Sequence, residues 1–308
     1  MKQTFEVPAQ EGGKKYYEDK GYPEVYVETK KAERYGDRSF DVDVISIEGD
    51  TQREINDVLK AIGHMKEVVK YSSDLLTAEI GPFTIASLNC LDITKHIIIK
   101  NNTRIICGPS CYCPDVETIE IPNTVHLIEC WCMSGKRRLT SVTFNNNPTL
   151  RIQEGAFYDC SALKTICGID NSNINGIEPR VFCGCENLED VPIPHNYDVT
   201  SIPERYACGT AIKTLSIPDN IKRIEENAFA YCSKLEAVYI MEGCERLERQ
   251  VFSHCESLTI VKIPDSVKKI YENTFEGCGM FTVVCNPGSY AEYWANMMKI
   301  HVEHSGTL

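Results

Sequence analysis

No long apolar run and no excess of positive charge mark this sequence. A membrane-spanning helix needs about 20 consecutive apolar residues, and no stretch of the 308 residues approaches that. Lysine and arginine number 32 against 44 aspartates and glutamates, a formal net charge of −12. With no basic stripe, the charge argues against nucleic acid as a partner. The first thirty residues carry Lys14, Lys15, Glu18, Asp19, Lys20 and Glu24 and no apolar h-region, so they do not read as a signal peptide. Either the chain works inside the cell or a signal lies outside this sequence. Cys-x-x-Cys is also missing; the close pairs are Cys-x-Cys, such as Cys111 and Cys113, or Cys130 and Cys132. That spacing suits packing better than a tetrahedral zinc site, even with Cys107 and His126 nearby. Gly12-Gly13-Lys14-Lys15 lacks the spacing and hydroxyl of a phosphate loop. His254 directly precedes Cys255, and adjacent residues on an extended chain point apart, so no Cys–His dyad is expected. No catalytic residue, metal ligand or cofactor site is expected, and the chain does not read as an enzyme.

What the sequence does have is cysteine, 16 in all, set in a fixed period. Phe157–Cys160, Phe182–Cys185, Phe229–Cys232, Phe252–Cys255 and Phe275–Cys278 share one spacing and recur every 23 to 25 residues. A period in that range marks a stacked solenoid. One apolar column runs Val116, Leu139, Leu163, Leu188, Ile212, Leu235, Leu258, Phe281. Three residues later comes Ile119, Val142, Ile166, Val191, Leu215, Val238, Val261, Val284. Two further on, Ile121, Phe144, Ile193, Ile217, Ile240 and Ile263 complete the alternation of a half-buried strand. Proline closes many of these strands, at Pro122, Pro194, Pro218, Pro264 and Pro287. A further apolar position falls five residues before each Phe, including Ile128, Ile152, Ile177, Ile224, Leu247 and Ile270. One such unit cannot bury its apolar face alone; eight stacked units make a continuous core.

The pattern Leu-x-x-Val-x-Ile-Pro, then Val-x-x-Ile-x-x-x-Ala-Phe-x-x-Cys, resembles the BspA-like leucine-rich repeat family. The stretch from Ser216 to Cys232 is close to that family's consensus, and the likeness covers about residues 99–285. It departs at Lys136 and Gly209 in the Cys column and at Ser110 and Met133 in the Phe column, and Ile202 is one residue out of register. The resemblance implies an α/β solenoid: a curved array with a parallel β-sheet on its concave face, short irregular or helical returns and terminal caps. It also implies a surface-adhesion or protein-binding role, at the cell surface or secreted. The missing signal and the reduced-thiol reading leave a cytoplasmic site open.

Cys113, Cys160, Cys185, Cys232, Cys255 and Cys278 fill one column, which reads as an inward stack of free thiols packed as small hydrophobes. Disulfides between neighbouring rungs are the alternative, if the returns keep strand spacing. Cys183, like Cys111, Cys130 and Cys132, reads as a filler. Lys136-Arg137-Arg138 reads as a solvated loop, and Asn101-Asn102-Thr103 as a turn unless the chain meets a glycosylating pathway.

Outside the repeats, Phe40–Ile47 alternates as a strand. Thr51-Gln52-Arg53-Glu54 is a capping box opening an amphipathic helix over 52–70. Residues 1–98 read as an N-terminal capping region, with decayed repeats suggested around Leu88, Leu91, Ile97 and Ile99. Residues 99–285 hold the repeats. Residues 286–308 read as a C-terminal cap: Ser289-Tyr290-Ala291-Glu292 caps a short helix that places Tyr290, Trp294 and Met297 on one face, then Ile300 and Val302 form a strand.

Function is expected on the outward strand positions. These are Thr118 and Glu120, Ser141 and Thr143, Thr165 and Cys167, Asp190 and Pro192, Thr214 and Ser216, Ala237 and Tyr239, Ile260 and Lys262. Solenoids commonly present this surface to partners. The expectation is a non-enzymatic scaffold that binds another protein or a surface ligand. A different class is the alternative: the array is a docking arm for a separate activity in residues 1–90.

Overall fold

The structure is a computed structural model, and it describes residues 2–8, 26–32, 40–48, 70–73, 76–80, 85–87, 93–101, 103–107 and 113–305. The chain forms two compact units, Met1–Val69 and Lys70–Leu308. In the first, Phe40–Glu48 is the centre of a three-stranded antiparallel sheet, flanked by Lys2–Pro8 and Tyr26–Ala32. The helix expected over 52–70 lies outside the described residues except at its last position, where Lys70 instead opens the short strand Lys70–Tyr71.

The second unit is a parallel β-solenoid of about nine turns with little helix. Its ladder starts earlier than the expected edge at residue 99: Thr77–Ile80 pairs in parallel with His96–Ile99, which pairs with Thr118–Ile121. The first face continues through Ser141–Phe144 and Thr165–Cys167. It resumes with Thr214–Ile217, Ala237–Ile240, Ile260–Lys262, Thr282–Cys285 and His301–His304. The apolar columns face inward as alternation requires: Ile119, Val142, Leu215, Val238 and Val261 are all buried. At the last repeat the register shifts by one residue. Val283, not Val284, pairs with Val261.

Most turns also carry a second, short strand, which the sequence reading treated only as an apolar position. Ile85–Ser87, Ile105–Cys107, Leu127–Ile128, Leu150–Ile152 and Ile174–Ile177 form one sheet. Ser201–Ile202, Arg223–Ile224, Arg246–Leu247 and Lys269–Ile270 form another. The returns are a third ladder. In most of them three N–H groups donate to carbonyls of the next rung: Gly155 to Pro179, Phe157 to Val181 and Asp159 to Cys183, then Arg180 to Glu204, Phe182 to Tyr206 and Gly184 to Cys208; the Phe252 return makes two. The chain must turn sharply at both ends of this stretch. Trp131, Gly155, Arg180, Arg205, Asn227 and Gln250 at one end, and Gly135, Asp159, Gly184, Gly209, Tyr231, His254 and Gly277 at the other, all have positive φ. Gly277 is held there by contact as well: a Cβ would come within 2.5 Å of the His254 ring.

Inside the returns, rings form a column from rung to rung, stacked between phenylalanines and edge-on at Tyr206. Phe157, Phe182, Tyr206, Phe229, Phe252 and Phe275 follow at centroid spacings of 5.3 to 6.4 Å. Trp294 of the C-terminal helix closes the stack 5.6 Å from Phe275. That helix, Tyr290–Met297, is capped by the Ser289 side chain, and Glu292 accepts from the Gly288 N–H. It buries Ala291, Trp294 and Ala295; Met297, expected on the same face, is exposed.

The Cys column is more than filler. Five thiols of the column donate to a return carbonyl of the preceding rung: Cys160 to Met133, Cys185 to Phe157, Cys232 to Ala207, Cys255 to Phe229 and Cys278 to Phe252, at 3.1 to 3.3 Å. The Phe157 and Phe252 carbonyls already accept the N–H of Cys160 and Cys255, so the thiol adds a second, weak donor there, and its small apolar body fills the core. The replacements keep a donor. Lys136, expected in a solvated loop, is 3% exposed, and its amine lies 3.4 Å from the Cys113 carbonyl. Arg137 and Arg138 beside it are exposed, paired with Asp159 and Asp115. In the out-of-register unit, Thr210 rather than Gly209 holds the Cys position; its hydroxyl meets Ala207 O at 3.0 Å and Cys232 Sγ at 3.3 Å.

Candidate binding surface

The outward columns of the first face are built by strand register. Thr77, His96, Thr118, Ser141 and Thr165 stand side by side, and next to them Glu79, Ile98, Glu120, Thr143 and Cys167. Thr143, Thr165 and Glu120 are exposed and Thr118 is half-buried. The hydroxyl row is tied at one end, where His96 Nδ1 lies 2.8 Å from Thr118 Oγ1. On its flank Lys95 meets Glu117 at 2.8 Å. That hydrogen bond holds the Glu117 carboxyl below its usual range.

The second stretch differs in chemistry. Thr214, Ala237, Ile260, Thr282 and His301 form one row; Ser216, Tyr239, Lys262, Val284 and Glu303 form the next. Thr214, Ser216 and Lys262 are exposed; Tyr239 and Ile260 are half-buried. An aromatic and a β-branched apolar side chain thus sit on the outward side of the sheet, next to a lysine.

The expected continuous face is interrupted between these stretches. Residues 189–193 form no strand. The cause is Val191-Pro192-Ile193-Pro194: Pro192 falls mid-strand and has no N–H for a ladder on either side. Asp190 is exposed but stands outside both sheets, and Pro192, expected to point outward, is buried. Its carbonyl accepts a hydrogen bond from the hydroxyl of Tyr206, which is fully buried.

The sequence reading missed the outward row of the second face. Arg223, Arg246 and Lys269 are in register on three successive rungs. Arg223 and Arg246 are balanced by Glu225 and Glu248 at 2.6 and 3.2 Å. Lys269 instead lies over the Tyr271 ring, 4.4 Å from its centroid. The signal was present as the residue preceding each second-strand isoleucine or leucine.

Among the described residues no group of three or more His, Cys, Asp or Glu side chains could hold a metal ion, and no helix is long and apolar enough to cross a membrane. The family profile of the BspA type leucine rich repeat region matches residues 106–236 and 168–282, in six copies. The chain belongs to the BspA-type leucine-rich repeat family. Repeat scaffolds of this family are typical of surface and protein-interaction proteins and are typically non-enzymatic.

Three solved structures are similar to this chain. A leucine rich cell surface protein from Faecalibacterium prausnitzii A2-165 shares 19% identity over 77% of this chain and 93% of its own, with a TM-score of 0.40. A leucine-rich repeat protein from Bacteroides ovatus ATCC 8483 shares 15% over 90% of this chain and 98% of its own, with a TM-score of 0.30. The pneumococcal vaccine antigen PcpA shares 15% over 63% and 60%, with a TM-score of 0.34. No curated protein shows significant sequence similarity to the chain.

Proposed function

We propose that the chain is a non-enzymatic scaffold that binds another protein through the outward rows of its first face. The observation that carries this reading is the pair of rows Thr214–Ala237–Ile260 and Ser216–Tyr239–Lys262. There Tyr239 and Ile260 lie half-buried on the outward side of a sheet whose backbone register fixes their spacing. Aromatic and apolar side chains presented beside polar ones are the composition of interface cores and rims. The hydroxyl row from Thr118 to Thr165 adds hydrogen-bonding capacity on the same face. Asp190 is no longer in the proposed contact set, because no strand positions it.

Photoreactive residues placed singly at Thr143, Tyr239 and Lys262, with Lys234 on a return as control, test the reading in the native cellular milieu. A discrete protein adduct is expected from the face positions and none from Lys234. The double substitution Tyr239→Asp, Lys262→Glu then weakens binding of the captured protein at least tenfold. Adducts only from Lys234, or an unchanged affinity, would remove the face from consideration.

The compact unit Met1–Val69, with its own antiparallel sheet, supports a second reading in which the array docks a separate activity. A chain starting at Lys70 that keeps every binding and catalytic property of the full chain would end that reading.

A further inference from the structure

Between the rung of Phe182 and the rung of Tyr206 the array loses its regular strand pairing. On the first face the sheet stops at Thr165–Cys167 and resumes at Thr214–Ile217; on the second it stops at Ile174–Ile177 and resumes at Ser201–Ile202. Only the return ladder crosses the gap in register, through the N–H groups of Arg180, Phe182 and Gly184. Isolated bonds from Glu189 to Lys164 and from His195 to Asn171 cross beside it.

Cys183 and Cys208 are neighbours in that ladder, since Gly184 donates to the Cys208 carbonyl at 2.9 Å. Rungs paired this way lie about 4.8 Å apart, inside the roughly 4.4–6.8 Å that a disulfide accepts between Cα atoms. Both side chains are half-exposed, whereas Cys160, Cys185, Cys232 and Cys255 are buried and donate to carbonyls. The next residues in the same row are Ala230 and Ser253, so the row holds no third cysteine on that side. Arg180, bonded to both Glu154 and Glu204 at 2.9 Å, and Arg205 stand beside it. The adjacent Cys208 thiol, then the Arg205 and Arg180 guanidiniums, hold Cys183 below the usual thiol range, against burial and the Asp159 charge.

We propose that Cys183 and Cys208 form a reactive dithiol that a low-molecular-weight disulfide converts into an inter-rung disulfide across the break in the sheets. The step balances as thiol–disulfide exchange. The Cys183 thiolate attacks one sulfur of the small disulfide, forming a mixed disulfide and releasing one thiolate. The Cys208 thiol, on losing its proton, attacks the Cys183 sulfur and releases the second thiol. The two protein thiols are oxidised by two electrons and the small disulfide is reduced to two thiols.

Oxidised glutathione acting on the folded, full-length chain tests this, with disulfide mapping by mass spectrometry. A Cys183–Cys208 cross-link is expected, whereas Cys167, which is exposed and has no cysteine beside it in its row, holds glutathione as a mixed disulfide. In Cys208→Ser the mixed disulfide persists at Cys183. On oxidation of the wild-type chain, amide exchange at Phe182 and Gly184 slows about tenfold or more, because the two rungs no longer part freely. Unmodified Cys183 and Cys208 beside a modified Cys167 would overturn the proposal, as would a stable mixed disulfide at Cys183 in the wild-type chain.

Discussion

Replacing Tyr206 with phenylalanine removes one oxygen from the array and keeps the ring in its stack. The ring lies 5.5 Å from Phe182 and 6.4 Å from Phe229, and the residue is fully buried. What is lost is the hydroxyl's hydrogen bond to the carbonyl of Pro192, on the segment that no strand pairs. A buried acceptor deprived of its donor costs about 1–3 kcal/mol, whereas removing the whole ring, as in Tyr206→Ala, costs about 3–5 kcal/mol. Long repeat arrays are poor two-state systems, so a local readout is better than a global midpoint. Native-state hydrogen exchange supplies it. The Phe182 amide, which donates to Tyr206 O at 2.8 Å, should exchange about 5- to 150-fold faster in Tyr206→Phe if opening follows that loss. A second arm uses pH. Burial holds the Tyr206 phenol well above its usual value near 10. The unfolded chain ionises near pH 10 while the folded one does not. This contribution is therefore fully present below pH 10 and falls as pH rises above it, by up to about 1.4 kcal/mol per unit. In Tyr206→Phe that alkaline slope disappears. Exchange within twofold of wild type, or an unchanged alkaline slope, would refute the reasoning.

Gly168→Ala should disrupt its rung, because φ is +76° and a Cβ would fall 1.8 Å from the backbone oxygen of Phe144; loss of amide protection from Asn145 to Gly168 is the measurement. Phe252→Ala, fully buried between Phe229 and Phe275, should cost about 3–5 kcal/mol in local opening of the flanking rungs, read by denaturant-dependent exchange. The Glu292 carboxyl is held below its usual value by the Gly288 N–H and then by His304. A lowered folded value gives stability above the free carboxylate's range that is lost as pH falls through the folded one, so protection of the Gly288 amide should fade below about pH 4.5 and be weak at neutral pH in Glu292→Ala.

The parts of the fold legible in sequence are those where one residue type recurs at one spacing. The first-face strands have three alternating positions, enough for the period of two to show in Ile119-Glu120-Ile121 or Leu215-Ser216-Ile217. The second-face strands are two residues long in Leu127–Ile128 or Arg223–Ile224, too short for any alternation. The return ladder hid for a different reason. Its sharp turns are taken by Arg180, Asn227, Gln250 and His254 as readily as by glycine, so no turn residue marks them. On the first face the register of the hydroxyl rows and of Tyr239 was legible in the alternation, but Pro192 was counted as one more outward residue. Its missing N–H was the available warning. The donor role of the cysteines emerged only from the carbonyls opposite them, which belong to rungs some 25 residues away.

The break beside Pro192 has a mechanical consequence. Tension applied along the stacking axis is carried at most rungs by two sheets and a return ladder acting in parallel. Between the rungs of Phe182 and Tyr206 neither sheet shares it, and the three return bonds carry it with isolated backbone bonds and the Arg180–Glu204 ion pair beside them. That junction behaves as a fuse: an array held at both ends parts there first, leaving two stumps whose own ladders remain whole and able to close again on the same three bonds.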